Sequence, residues 1–226
     1  RCSDSSEHGY GVGLMPSGSR KAHWALPLLI WGLTGCRAPP PNVSRGEALF
    51  DMCSLCHGRD GSGNPGLRAS AIAGLPQWYI EGQLEKFRTG IRGTHPEDAP
   101  GMLMRPSAVT LSEEGDLQAV AEYVASLPPV RGAFVVLEGQ AAAGATTYAS
   151  VCSACHGPDA TGNELLGAPP LALIDAWYML TQLRNFKTGV RGHHPGDTWG
   201  MTMRINAEAL SDDDMKDVIA YISSLR

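Results

Sequence analysis

Long apolar runs are missing from this sequence: no stretch reaches the roughly 18 residues that a membrane-spanning helix needs. Aromatic residues are scarce, at 7%, which leaves little for base-stacking platforms. There is no basic excess either. Lys and Arg number 18 against 23 Asp and Glu, for a formal net charge of -5 and a pI of about 5.8. That balance argues against a nucleic-acid binder working through a positive surface. Six cysteines in 226 residues are too few for a disulfide-held scaffold. What the chain does have is 43% hydrophobic residues with 18% charged, enough for a packed core. Its length suits one large domain or two small ones.

The front of the chain reads as an address. Within residues 15–36 (MPSGSRKAHWALPLLIWGLTGC), Arg20 and Lys21 precede a short apolar stretch over residues 22–33, the pattern of an export signal. It ends in Leu33-Thr34-Gly35-Cys36, which resembles the lipobox of bacterial lipoproteins. The resemblance implies that Cys36 is lipidated and becomes the first mature residue. Residues 1–35 are then a signal peptide with upstream residues before Met15, and residues 36–43 are a lipid-proximal tether stiffened by Pro39-Pro40-Pro41. An ordinary cleaved signal peptide with an incidental Cys36 is the alternative.

The remainder is one unit written twice. A shift of 99 positions lays Cys53-Ser54-Leu55-Cys56-His57-Gly58 on Cys152-Ser153-Ala154-Cys155-His156-Gly157. The same shift pairs Trp78-Tyr79 with Trp177-Tyr178, Gln83-Leu84 with Gln182-Leu183, Arg92 with Arg191, His95 with His194, and Gly101-Met102 and Met104-Arg105 with Gly200-Met201 and Met203-Arg204. After Ser112 the first copy carries one extra residue, so Tyr123 matches Tyr221. Such a period signals duplicated units. The expected division is a first domain over residues 44–128, a linker over 129–140 and a second domain over 141–226.

Each copy reads as mainly α, about three helices joined by long loops. Ser44 with Glu47 opens a helix toward Cys53, and residues 141–151 form its Ala-rich counterpart. Residues 77–87 carry Trp78, Leu84 and Phe87 at helical spacing. Ser112 and Ser211 start the last helices. Only residues 133–137, in the linker, alternate like a strand. Small domains with long loops usually wrap something, and a large apolar cofactor would also supply the core they lack.

The pentapeptide C-x-x-C-H, at Cys53–His57 and Cys152–His156, is the attachment signal for c-type haem. Sulfurs at i and i+3 share one face of a helix and can form thioethers to the two vinyl groups, and the following His reaches the iron from that side. A four-cysteine zinc site wants its pairs 15–20 residues apart, and a thiol redox site wants a βαβ surround; neither is present. The proximal ligands are therefore His57 and His156. For the opposite position the sequence offers Met102, Met104 or His95, and Met201, Met203 or His194. Each methionine pair lies in a Pro/Gly-rich stretch read as a loop, where alternate residues can share a side. The matched arginines, Arg92 with Arg191 and Arg105 with Arg204, are either partners of haem propionates or solvated loop residues.

From Ser44 to Arg226 the chain resembles the tandem dihaem class I cytochromes c of the bacterial periplasm. The resemblance implies two tandem cytochrome c domains, each a few helices wrapped around a covalent haem c. It also implies a ligand methionine about seven residues before the Leu-Ser of the last helix, which selects Met104 and Met203, with Met102 and Met201 in reserve. The proximal His usually donates its other ring proton to a proline carbonyl. Pro169 stands there in the second copy and Ser70 in the first.

With both axial positions filled, the expected role is electron transfer. The protein would carry single electrons in the periplasm between membrane-bound redox enzymes: a quinol-oxidising reductase on one side and a terminal oxidase or reductase on the other. It would be held to the membrane by its lipid, with no nucleic-acid partner. The alternatives are an electron-transfer subunit of a larger dehydrogenase or oxidase, and a dihaem peroxidase.

Overall fold

The computed structural model describes residues 43–130 and 138–225. The expected export signal, Cys36, the expected tether except its last residue, and the alternating stretch at 133–137 lie outside the described residues. The described fold is helical: its bridges are two isolated ones, Asn64 with Ala69 and Asn163 with Ala168.

The first repeat runs α1 (Arg45–His57), α2 (Gln77–Arg88), α3 (Ala99–Thr110) and α4 (Asp116–Ser126). The second runs α5 (Ala141–Thr147), a π-helical turn (Tyr148–Cys152), α6 (Ser153–His156), α7 (Ala176–Lys187), α8 (Thr198–Glu208) and α9 (Asp212–Ser224). Each haem-motif cysteine pair thus sits at the C-terminal end of the opening helical run of its repeat, α1 in the first and α5 through the π turn to α6 in the second.

In each repeat the first and last helices cross closely. A Cβ on Gly46 would lie 2.1 Å from the Ala119 carbonyl oxygen, and one on Gly144 would lie 1.9 Å from that of Asp217. Only glycine allows this approach. The same crossing packs Phe50 against Tyr123 and Tyr148 against Tyr221 in tilted pairs, each with ring centroids 5.3 Å apart. The last helices supply the buried stripe, with Leu117, Val120, Ala121 and Val124 in α4 and Met215, Val218, Ile219 and Ile222 in α9.

The π turn has a cause legible in the repeat. Gly46 and Phe50 match Gly144 and Tyr148 at a shift of 98, whereas Cys53 matches Cys152 at 99. The second repeat therefore has one extra residue between the crossing point and the haem motif. A π bulge absorbs a single inserted residue without ending a helix, and Tyr148–Cys152 is that bulge.

The loops expected around the methionines are corrected. Each Gly-Met-x-Met-Arg stretch lies in a helix, α3 in the first repeat and α8 in the second. Asp98 and Asp197 cap these helices by accepting from the Gly101 and Gly200 N–H, both at 3.1 Å. The glycines that suggested a loop are required by this cap, since a Cβ on either would fall 2.0 Å from the capping carboxylate.

The last helix of the first repeat starts later than expected. Ser211 forms a full capping box with Asp214, but α4 begins at Asp116, after the extra residue Gly115. There Asp116 accepts from the Glu113 N–H at 3.0 Å and from Arg45 Nε at 2.9 Å.

Candidate functional site

Two clefts, about 1320 Å³ in the first repeat and about 1230 Å³ in the second including space open to solvent, are built by equivalent elements. Each is lined by its haem-motif residues, Cys53, Cys56 and His57 or Cys152, Cys155 and His156.

The His57 and His156 rings are anchored through one nitrogen. His57 Nδ1 lies 2.8 Å from the Ser70 carbonyl oxygen, and His156 Nδ1 lies 3.0 Å from that of Pro169. A carbonyl can only accept, so each Nδ1 carries the proton and Nε2 is left as the donor atom for a metal. Burial lowers the pKa of both imidazoles, against the smaller raising effect of those carbonyls, which favours the neutral, ligating form. Burial also pushes the Cys53 and Cys152 thiols up to about 11. Thiols so protonated make poor redox nucleophiles. Among the described residues no group of three His, Cys, Asp or Glu could hold a metal ion.

The helical setting of the methionines separates the members of each pair. Residues i and i+2 on a helix diverge by about 200°, so they do not share a side. Met104 and Met203 line the clefts. Met102 and Met201 are 41% and 37% exposed and line neither. His95 and His194 accept from loop N–H groups, of Glu97 at 3.2 Å and of Gly196 at 3.0 Å. They also stand outside the linings.

The clefts abut. Tyr79, Tyr178, Gln83, Gln182 and Ile174 line both. Arg92 donates to Gln83 at 2.7 Å and, across the repeats, to Gln182 at 3.2 Å. Arg191 mirrors it, donating to Gln182 at 2.7 Å and to Gln83 at 3.0 Å. Each guanidinium also lies over a phenylalanine, Arg92 over Phe87 at 4.4 Å and Arg191 over Phe186 at 4.5 Å. Burial and the facing Arg92 charge lower the pKa of Arg191.

Both Arg Nε atoms are buried without a hydrogen-bond acceptor among the described residues. Orphan buried donors carry a cost of about 1–3 kcal/mol each. Two such donors on cleft-lining cations fit the carboxylates of a haem. Thiols at i and i+3, a histidine with Nε2 available, an apolar wall and paired cationic donors together match the group that the sequence motif implies.

Some matched residues diverge in role. Arg204 Nε pairs with Glu208 at 2.9 Å on the surface, whereas Arg105 Nε is buried without an acceptor among the described residues. Trp78 and Trp177 stand edge-on to Tyr79 and Tyr178, each 5.8 Å away, and it is the tyrosines that wall the clefts. Tyr79, Gln83 and their mates are identical in both copies, and that identity was the available signal for their place. Lys86 is different. It reaches across to Asp197 at 2.7 Å and lines the second cleft. Its own repeat mate is Asn185, so no repeated pattern marks it.

The family model for cytochrome c matches residues 43–128 and again 141–226. The thiosulfate dehydrogenase electron acceptor of Stutzerimonas stutzeri is 32% identical over 185 residues, covering 76% of this chain and 78% of that protein. Cytochrome c4 of Stutzerimonas stutzeri is 30% identical over 210 residues, covering 88% of this chain and 96% of that one. The crystal structure of reduced cytochrome c4 from Pseudomonas stutzeri superposes with a TM-score of 0.62 at 27% identity, over 80% of this chain and 97% of that one. With haem-attachment pairs at Cys53/Cys56 and Cys152/Cys155, the chain carries two covalent haem c groups and acts as an electron carrier. It belongs to the cytochrome c family, as a dihaem member of the cytochrome c4 type.

Proposed function

We propose that His57 with Met104, and His156 with Met203, are the axial pairs of the two haems, and that the protein relays single electrons between membrane-associated redox enzymes in the periplasm. The observation that carries this reading is that the cleft-lining methionine of each pair is the second one. A bound haem c supplies a one-electron iron couple, and thioether ligation raises its potential. The chain's part would be to ligate the iron through these histidines and methionines, exclude water with Ile174 and the two tyrosines, and neutralise carboxylates with Arg92 and Arg191. With both ligands supplied by the chain, no iron position would be left for peroxide.

The test is Met104→Ala and Met203→Ala, each read by spectrum and potential. Each is expected to abolish the thioether-to-iron charge-transfer band of one haem and lower its potential. Loss of that band in Met102→Ala or Met201→Ala instead would reassign the ligand.

The domain limits at 44–128 and 141–226, the signal peptide and the Cys36 anchor belong to the same proposal. Palmitate labelling that survives Cys36→Ser would sink the anchor. The acidic balance of the chain favours partners that present a basic patch, with association weakening as salt rises. A quinol-oxidising reductase and a terminal oxidase or reductase are the proposed partners. A dehydrogenase as donor is a second reading, favoured by the relative named for accepting electrons from thiosulfate dehydrogenase. Stable co-purification with a dehydrogenase or oxidase would mark the chain as a subunit rather than a shuttle.

A further inference from the structure

The two proximal histidines bond to carbonyls of chemically different peptides. His57 bonds to the Ser70 carbonyl, which belongs to the Ser70–Ala71 peptide. The N–H of that same peptide donates to Asp175 Oδ2 at 2.8 Å. In the second repeat the peptide is Pro169–Pro170, which has no N–H, and Pro76 stands where a counterpart of Asp175 would have to be. The arrangement therefore exists once, and it spans the repeats: a carboxylate of the second reaches the histidine support of the first.

Asp175 is 5% exposed. It occupies the N-cap of α7, where aspartate ordinarily accepts from its own helix, yet its side chain makes no capping bond. An amide whose N–H donates to an anion is polarised, and its carbonyl becomes a stronger acceptor. Linked hydrogen bonds reinforce one another in a buried setting. The polarised Ser70 carbonyl draws harder on the His57 Nδ1 proton and enriches the ring at Nε2. A more electron-rich imidazole favours the oxidised iron, the usual effect of a partner bonded behind a ligand histidine.

We propose that Asp175 is a positioning residue for the first haem, acting through the Ser70–Ala71 peptide on His57 to hold that haem at a lower potential than it would have alone. The inference rests on His57 being the proximal ligand. The alternative is a staple that holds the Ala71 N–H without acting on the histidine ring.

Asp175→Asn separates the two, because the amide oxygen can still accept from Ala71 while the charge is gone. In the dihaem protein, with each redox transition assigned through that haem's paramagnetically shifted methyl resonances, Asp175→Asn is expected to raise the first haem's potential, shift the His57 ring protons and leave the second haem unchanged. A first-haem potential equal to wild type, or equal shifts at both haems, would overturn the proposal. Ala71→Pro copies the second repeat by removing the N–H while keeping the Asp175 charge. It is expected to raise the same potential, and no change there would leave only a through-space charge effect and refute the relay. Failure of the underlying ligand assignment is visible beforehand: His57 ring protons of the unmodified protein would then lack the hyperfine shifts of an iron ligand.

Discussion

The two repeats share a plan and differ where they meet. Each builds a cleft from a haem motif, a tyrosine, a glutamine and a cleft-lining methionine, and the arginine–glutamine contacts are nearly symmetric. The ionic contacts are not. Lys86 of the first repeat lines the second cleft and pairs with Asp197, while Asp98, the mate of Asp197, lines the first cleft and has no such ion pair among the described residues, where Asn185 replaces the lysine. Duplication made two equal pockets, and substitutions at the shared interface gave each a different electrostatic neighbour. The repeats thus pack as one compact unit rather than two beads.

The largest expected effect tests the shared part of the plan. Gly46→Ala and Gly144→Ala each place a methyl within 2.1 Å of a backbone oxygen. Each is expected to destabilise by about 3 kcal/mol, measured by denaturant unfolding, and similar losses would show that the crossings are equivalent.

Next comes the asymmetric ion pair. Lys86→Gln leaves the Asp197 carboxylate, 1% exposed, without its cation, at a cost of about 2–3 kcal/mol, reduced from a fully buried pair because the lysine is partly solvated. Asn185→Lys offers Asp98 the missing partner and is expected to change stability by less than about 1 kcal/mol. Equal losses from both would mean that the interface is not asymmetric in energy.

The same pair sets a pH limit. Burial acts to raise the Asp197 carboxyl, but the Lys86 hydrogen bond and charge, with the Arg191 charge, more than offset it, so its pKa lies below the usual 3.8. A carboxylate depressed in the folded state contributes stability fully above its unfolded pKa and loses it as pH falls through the folded value. Unfolding followed through acid titration should therefore weaken below about pH 4, and Lys86→Gln should flatten that part of the curve. An unchanged acid limb in the variant would rule the pair out as its source.

The smallest effect concerns the π turn. Tyr148 donates to the Gly157 carbonyl at 2.6 Å, a bond that Phe50 cannot make in the first repeat. Tyr148→Phe erases this difference and is expected to cost about 1 kcal/mol by thermal unfolding.

The haem motifs were legible because their chemistry is local: five consecutive residues fix two sulfurs and one imidazole on one turn of helix. The repeat was legible because identity at fixed spacing requires no folding. The choice within each Met-x-Met pair was not legible from composition, since the Pro/Gly-rich surroundings, Gly101 and Gly200 among them, suggested loops. The glycines answer instead to the Asp98 and Asp197 caps, and only a helix sends alternate residues to opposite sides. The start of α4 was displaced to follow Gly115, which takes the N-cap position in a left-handed conformation (φ 82°) with no side-chain capping bond.

By itself, the sequence determined what each half binds, since covalent attachment follows from residues adjacent in the chain. The tertiary structure decided how the halves act on each other. Asp175 to Ala71, Lys86 to Asp197 and the crossed arginines join positions about a hundred residues apart. Such pairs leave no period and no local spacing. They exist because two folded surfaces bury charges together, and burial makes each buried charge take a partner.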